Sequence, residues 1–179
     1  MRIKIYQVLC LVILAVIFGG LFICCKSTAK TYKTRMNFDA EKYLGEWYEI
    51  ARFDFKFEKN MSHVKANYSM NPNGTIRVEN SGFDYIENKM KTKIGKAKFK
   101  GANDVGELKV SFFGPFYSGY NIIALDPEYK YSLVAGDSHD LLWILSRTPT
   151  IPDDVMRNYL DIARNAGFDV ENLVWTKQD

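Results

Sequence analysis

Residues 43–52 read YLGEWYEIAR and open the β-rich part of the chain. Successive side chains of a β-strand point to opposite faces of the sheet, so Trp47 and Glu49 would share one face. The flanking aromatic and β-branched residues favour an extended backbone. We predict a first strand over Glu46–Phe53.

Seven further strand-like runs follow, and each pair is separated by a turn. Asn71-Pro72-Asn73-Gly74 combines residues that tolerate positive φ with a proline that fixes φ, a composition typical of hairpin turns. Segments 101–104 and 136–140 have the same character. The predicted strands are Val64–Met70, Thr75–Asn80, Lys91–Lys100, Glu107–Phe113, Gly119–Leu125, Tyr129–Ala135 and Leu141–Ser146.

The order of these elements predicts an all-β fold. Eight antiparallel strands in up-and-down order would leave unpaired edges in an open sheet, and closure into a β-barrel removes those edges. After Pro149, the stretch Asp153–Ala166 has helical periodicity and ends at Gly167. We therefore expect one C-terminal α-helix packed outside the barrel, followed by a short final strand at Asn172–Thr176.

Three segments carry a resemblance to the lipocalin family. The first is Gly45-Glu46-Trp47, which is similar to the family's G-x-W motif. Asn121–Tyr129 resembles the second family motif, and Leu142–Pro149 resembles the third, including its arginine. The three occur in the family's order, and the resemblance covers about Asn37 to Trp175. Within the family, the chain most resembles the branch that contains bacterial outer-membrane lipocalins and apolipoprotein D. Residues 110–117, which read VSFFGPFY, are particularly similar to the bacterial members.

The resemblance implies structural roles for Gly45, Trp47 and Arg147. Trp47 would lie at the closed end of the barrel with the Arg147 guanidinium across its ring, as a cation–π contact. It also implies a ligand, a fatty acid or a lysophospholipid, and a role in membrane maintenance or lipid transport. These are expectations from the family.

The N-terminal sequence is typical of a segment that targets a protein to the cell envelope. Two basic residues precede an apolar run over Ile5–Cys25, which favours export or membrane insertion. The end of the run resembles a bacterial lipoprotein processing site, and Cys25 fits better than Cys24 because Ile23 is a poor residue before the cleavage point. We predict a leader over 1–25, a polar tether over 26–36 and a barrel domain over 37–179, lipid-anchored at the bacterial outer membrane. An uncleaved anchor is the alternative, since about 20 apolar residues span a bilayer.

Composition excludes several kinds of chemistry. The three cysteines all lie in the leader, so the body has no disulfide, thiolate metal site or cysteine nucleophile. His63 and His139 lie far apart without further ligands at metal-site spacing, and neither a metal nor a cofactor is expected. The formal charge of +3 falls to +1 without Arg2 and Lys4, which gives no electrostatic case for nucleic acid.

The predicted barrel is wide enough for one apolar ligand if its inward side chains leave space. A polar head would stay at the mouth, near Tyr117, Tyr120 or a lysine. In this arrangement Leu142 and Ile144 pack outward under the helix. The candidate ligand-binding residues are Tyr68, Val78, Phe83, Phe99, Phe112, Phe116, Tyr117, Tyr120, Ile122 and Trp143.

The sequence leaves two alternatives to a carrier. An enzyme would need a nucleophile beside a base, and Asp137-Ser138-His139-Asp140 holds such residues in one turn, where neighbours rarely face one another productively. Glu49 shares the face of Trp47 and is a candidate acid, although a hydrogen-bonded carboxylate is the expected role. The second alternative is an interaction module whose cup is filled by side chains, in which a rim with Phe113, Phe116 and Tyr117 pairs two barrels into a homodimer.

Overall fold

The computed structural model describes residues 32–55 and 58–179. A single helical turn, α1, precedes the barrel, and α2 and a 3₁₀ turn follow it. The elements are α1 (Ala40–Tyr43), β1 (Gly45–Phe53), β2 (Met61–Met70), β3 (Ile76–Asp84), β4 (Lys89–Phe99), β5 (Glu107–Phe113), β6 (Phe116–Leu125), β7 (Tyr131–Ala135), β8 (Leu142–Ser146), α2 (Asp153–Asn165), the 3₁₀ turn (Val170–Asn172) and β9 (Leu173–Trp175).

The sheet closes on itself, which confirms the predicted fold. Consecutive strands pair from β2 to β8, and β1 lies between β8 and β2. On one side Trp47 pairs with Ala66, and on the other Tyr48 pairs with Ser146. The short β9 extends the sheet by pairing with the second half of β1, where Ala51 faces Trp175.

The third and fourth strands are longer than the sequence indicates. β3 continues through Ser81 and Gly82 to Asp84 because β4 pairs with it along its whole length. Gly82 faces the interior, where a Cβ would lie 2.9 Å from the Met61 Cε. Ser81 and Gly82, whose composition predicts the end of a strand, therefore continue the hydrogen-bonded pairing between β3 and β4.

Arg147 and Trp47 seal one end of the barrel. The guanidinium carbon lies 3.8 Å from the centre of the fully buried Trp47 ring. The guanidinium nitrogens donate to the backbone carbonyls of Lys42, Leu44, Glu46 and Tyr129 at 2.7–3.2 Å. Gly45 has φ +90°, and a Cβ there would lie 3.5 Å from the Arg147 Nη1, so this position favours glycine.

Two apolar layers lie on opposite faces of the sheet. The inner layer lies inside the barrel and includes Trp47, Ile122 and Val134. The outer layer lies beneath α2, where Leu142 and Ile144 pack against Tyr159 and Ala163. Tyr159 also donates a hydrogen bond to the Tyr131 carbonyl at 2.9 Å.

Residues 32–36 lie against the barrel. The Tyr32 hydroxyl donates to the Gly136 carbonyl at 2.5 Å, and its ring stacks on Phe168 at 5.9 Å. Arg35 exchanges backbone hydrogen bonds with Ile122 and Gly106. The predicted leader, both lipidation candidates and residues 26–31 of the tether lie outside the described residues. Within the described ranges, no helix has the length and apolarity needed to cross a bilayer.

All nine strands and both apolar layers of the described structure fall within residues 32–179. Each strand of the barrel finds its hydrogen-bonding partners inside that range. A protein that begins at Lys26 therefore contains the whole barrel and is expected to fold by itself.

Replacing Arg147 by alanine should destabilise this fold by about 3 kcal/mol, because it removes the cation–π contact and leaves four carbonyls without their charged donor. We expect the melting temperature to fall by roughly 6–12 °C, measured by circular dichroism. Arg157→Ala, at an exposed arginine of α2, is the control and should change it little. A normal melting temperature for Arg147→Ala would contradict the sealing role.

Candidate functional site

The open half of the barrel encloses a cavity of about 570 Å³. Such a volume is typical of small-molecule sites. Its wall is mostly aliphatic and aromatic, because the inward positions of β2 to β6 and β8 carry few polar groups. The apolar wall includes Val64, Ala66, Ile76, Val78, Ala97, Leu108, Val110 and Leu145.

Most of the predicted ligand-binding residues lie on this wall or at its mouth. The cavity brings together Tyr68, Val78, Phe112, Phe116, Tyr117, Tyr120 and Trp143. Trp143 faces inward between Leu142 and Ile144, which belong to the outer layer. A contact between these residues and a ligand stays a prediction.

Three predicted residues do not line the cavity. Ile122 is fully buried in the inner layer, and Phe99 packs in the same layer with its ring 6.2 Å from that of Phe38. Both have the inward parity but lie where the barrel is filled. Phe83 follows the inward-facing Gly82, so its side chain points outward, and its ring meets that of His63 edge-on at 6.5 Å.

Three tyrosines form the floor of the cavity. The Tyr43 and Tyr68 hydroxyls lie 2.8 and 3.0 Å from the Tyr120 hydroxyl, and Tyr43 also contacts the Ser132 hydroxyl at 3.0 Å. The Tyr43 ring packs on Trp47, with their centres 4.7 Å apart. Tyr120 was expected near the mouth, but its place over Tyr43 puts it at the closed end. Burial raises the pKa of Tyr43 to about 12 and raises those of Tyr68 and Tyr120, so all three stay neutral hydrogen-bonding groups.

The mouth is aromatic and basic. Phe113 and Phe116 are 57% and 79% exposed. The Tyr117 ring lies 4.8 Å from the Lys98 ammonium and 5.6 Å from the Lys109 ammonium, as cation–π contacts. The rim predicted for the interaction module is therefore present as an exposed surface.

An acidic group that the sequence did not fully indicate lies in the cavity wall. Glu49 and Glu58 both line the cavity, and Glu49 is 3% exposed. Arg52, 2% exposed, donates to the Glu49 Oε1 at 2.7 Å and to the Glu58 backbone carbonyl at 2.6 Å. The Trp143 indole donates to the Glu58 Oε2 at 3.1 Å, and Thr176 donates to the Glu49 Oε1 at 2.6 Å.

A change of register explains how this group assembles. Glu49 and Arg52 have opposite parity in a regular strand, but the pairing of β1 with β8 shifts between Glu49 and Ala51. Ile50 and Ala51 consequently both belong to the outer layer, and Arg52 turns back toward Glu49. Sequence parity could place Glu49 on the inner face, whereas no signal in the sequence marks the irregularity or brings Glu58 beside it.

Both carboxyls are shifted toward the protonated form. Burial raises the pKa of Glu58 to about 8, and the charge of Glu49 adds to this effect. Burial also raises the pKa of Glu49, although the Arg52 guanidinium and the Thr176 hydroxyl oppose the shift. At neutral pH the group therefore favours one retained proton over two buried negative charges beside a single arginine.

Two side chains of the turn considered for catalysis contact residues outside the turn. Asp137 pairs with Lys100 at 2.8 Å, and the His139 Nε2 lies 3.0 Å from the Ala166 carbonyl. These two side chains have different partners. In the part of the chain that the structure describes, no three histidine, cysteine or acidic residues are grouped as a metal site would require.

The raised pKa of Glu58 predicts a pH-dependent stability. A carboxyl that titrates near 4.3 when unfolded and near 8 when folded favours the native state fully below the lower value, and this contribution is lost as pH rises through 8. The free energy of unfolding, measured with urea at pH 5, 7 and 8.5, should fall with pH. Glu58→Gln should flatten this slope, and Glu41→Gln, an exposed residue of α1, should keep it. An unchanged slope in Glu58→Gln would contradict the assignment.

Comparison with known proteins places the chain in a family. Residues 38–178 match the family model described as "Lipocalin-like domain". The outer membrane lipoprotein Blc of Citrobacter freundii is 48% identical over 169 residues, which cover 93% of this chain and 96% of that protein. The Escherichia coli K12 protein of the same name is 52% identical over 142 residues, 79% of this chain and 80% of its own.

More distant proteins are similar in sequence or in fold. Mouse apolipoprotein D is 37% identical over 153 residues, with 79% of this chain and 78% of that protein covered. The crystal structure of lobster apocrustacyanin A1 superposes with a TM-score of 0.66 at 18% identity, over 79% of this chain and 80% of that one. The barrel, its sealed end and these matches together show that the chain belongs to the lipocalin family.

Proposed function

We propose that this protein is a membrane-tethered carrier that holds one fatty acid or lysophospholipid in the barrel. The family to which the chain belongs binds small hydrophobic ligands. The observation that carries the proposal is the apolar cavity of about 570 Å³, closed at one end by Tyr43 and Trp47 and open at the other.

Burial of an acyl chain is sufficient to hold such a ligand. Each CH₂ group moved out of water contributes roughly 0.8 kcal/mol, so a fatty-acid tail reaches micromolar affinity or better after the entropic cost of binding. The wall around Val78 and Ala97 supplies the apolar surface. A carrier needs no reaction, and we propose no enzymatic activity for the chain.

The proposed location is the bacterial outer membrane. The Citrobacter and Escherichia relatives are named outer membrane lipoproteins, and the leader of this chain ends in a lipoprotein-like site at Cys25. A lipid on Cys25 would keep the barrel beside the bilayer, where membrane maintenance or lipid transport would take place. An uncleaved N-terminal anchor would give the same proximity.

A second candidate function rests on the exposed rim. Large apolar side chains such as Phe113 and Phe116 are costly to leave in water and are typical of interaction surfaces. They support a homodimer that pairs the barrels at their mouths. The two functions are separable, because a rim contact does not need an empty cavity.

Filling the cavity should abolish lipid binding without unfolding the barrel. Ala97 is buried and lines the cavity, so Ala97→Trp would occupy the space of the acyl chain. We expect at least a tenfold weaker affinity for a fluorescent fatty acid, measured by titration of the protein from Lys26 onward.

Lys96→Trp is the matched control, because Lys96 is the exposed neighbour on the same strand and points outward. Its affinity should stay near that of the unsubstituted protein. Equal binding by Ala97→Trp, with the tryptophan confirmed inside the barrel by its blue-shifted emission, would argue against the carrier and favour the interaction module.

A further inference from the structure

We propose that Glu58 and Glu49 make the cavity select single-chain amphiphiles with a protonated amine head over fatty-acid anions of the same length. This inference rests on the proposed lipid-binding function and names the headgroup that the site prefers. A lysophospholipid whose head ends in a primary amine is the kind of ligand that carries this chemistry.

The two carboxyls are part of the cavity wall. Both line the cavity, and the Glu58 side chain is only 15% exposed. The Trp143 indole, which lines the cavity as well, orients the Glu58 carboxyl through its hydrogen bond of 3.1 Å. A ligand head at this place would therefore meet a fixed carboxylate with little competing water.

Among the described residues, the charges around the pair do not balance. Arg52 is the guanidinium that contacts them there: its Nη1 bonds Glu49 and Thr176, and its Nε lies 4.0 Å from the Glu58 Oε2. Its Nη2 donates to a backbone carbonyl and lies 3.8 Å from a third acid, Asp54. The other groups packed against the pair, Trp143 from β8 and Thr176 after β9, are neutral.

The lysines that line the cavity are directed elsewhere. The Lys65 ammonium on β2 lies 3.2 Å from Glu46 and 3.3 Å from the Tyr48 hydroxyl. Lys91 on β4 pairs with Asp84 and Glu87. Lys93 lies at the mouth, 5.8 Å from the centre of the Phe113 ring. An anionic head would find Lys93 in water, where an ion pair contributes little, whereas an ammonium would find a buried carboxylate.

A second acceptor lies on the same side of the barrel. The Asn80 Oδ1 is buried and has no hydrogen-bond partner among the described residues, and Asn80 lines the cavity. It pairs with Ala66 on β2, which pairs in turn with Trp47 on β1, two residues before Glu49. An ammonium brings three donors and no acceptor, which matches a wall that offers carboxylate and amide oxygens.

Binding of an amine is coupled to loss of a proton. In the empty cavity, burial holds a proton on Glu58 up to about pH 8. An ammonium next to it favours the carboxylate, so the carboxyl proton leaves to solvent as the amine binds. A fatty-acid anion has the opposite effect and favours the protonated acid. Amine affinity should therefore rise between pH 6.5 and 8.5, a range in which a simple amine itself stays protonated.

The test compares three ligands of one chain length on the protein from Lys26 onward. Dodecylammonium, dodecanoate and dodecanol are titrated by calorimetry at pH 8, in two buffers of different ionisation enthalpy. We expect dodecylammonium to bind at least tenfold tighter than dodecanoate, with net proton release. Glu58→Gln should lose this preference by tenfold or more and should no longer release the proton, while dodecanol affinity stays within about twofold.

Glu79→Gln is the matched control. Glu79 lies on β3 beside Asn80, but its side chain is 36% exposed, pairs with Arg77 and does not line the cavity, so the amine preference should remain. The dodecanol affinity reports whether each variant has kept its barrel. Asn80→Ala gives a second, independent variant and should weaken amine binding while leaving dodecanoate binding unchanged.

Two results would overturn the inference. Equal binding of the amine and the acid, or a preference that survives in Glu58→Gln, would remove the carboxyls from headgroup selection while the carrier function stands on dodecanol and dodecanoate binding. Failure of all three ligands to bind would overturn the carrier function, and this inference with it.

Discussion

The contact between Arg147 and Trp47 is the constraint on which the rest of this barrel depends. One guanidinium covers the tryptophan ring. It also donates hydrogen bonds to four backbone carbonyls, which belong to α1, to Leu44 after it, to β1 and to the segment before β7. It thereby holds together the chain segments that meet at the closed end. Because Arg147 seals that end, the buried Tyr43 and Tyr68 can form the floor of the cavity above it. A cavity with one opening is the result.

Alternation of side chains then gives each strand an inner face and an outer face, and beneath α2 the outer face is buried as well. On β8, Trp143 faces the cavity while Leu142 and Ile144 support α2, so five residues serve both the site and the scaffold. On β1, the shift after Glu49 puts two consecutive residues outside and returns Arg52 to the interior. This irregularity lies on the strand that carries Glu49 and Arg52, two of the buried charged residues of the site.

The sequence predicted which face of a strand a residue occupies better than it predicted how far along the barrel axis that residue lies. The inward direction of Trp143 was predictable because its apolar neighbours Leu142 and Ile144 could be buried only beneath the predicted helix, on the outer face. Phe99 and Ile122 have the correct parity, but Phe38 and the inner layer fill the barrel at their level, and the sequence carries no measure of that filling. The prediction that Phe83 lies near the mouth of the cavity failed because the small residues before it gave no sign that β3 continues to Asp84. Glu58 lies in a connection, where neither periodicity nor spacing predicts a neighbour.

The path of the first described residues fixes the side of the barrel from which the chain departs. Tyr32 bonds the carbonyl of Gly136, which begins the β7–β8 connection at the open end, and the chain then runs down the barrel past Arg35 toward Phe38. Six residues lie between Cys25 and Tyr32, so the two are joined by seven Cα–Cα steps, a span of at most about 25 Å when extended. A lipid on Cys25 would therefore hold the open end of the barrel close to the bilayer. A ligand that moved between the membrane and the cavity would then cross only a short distance of water.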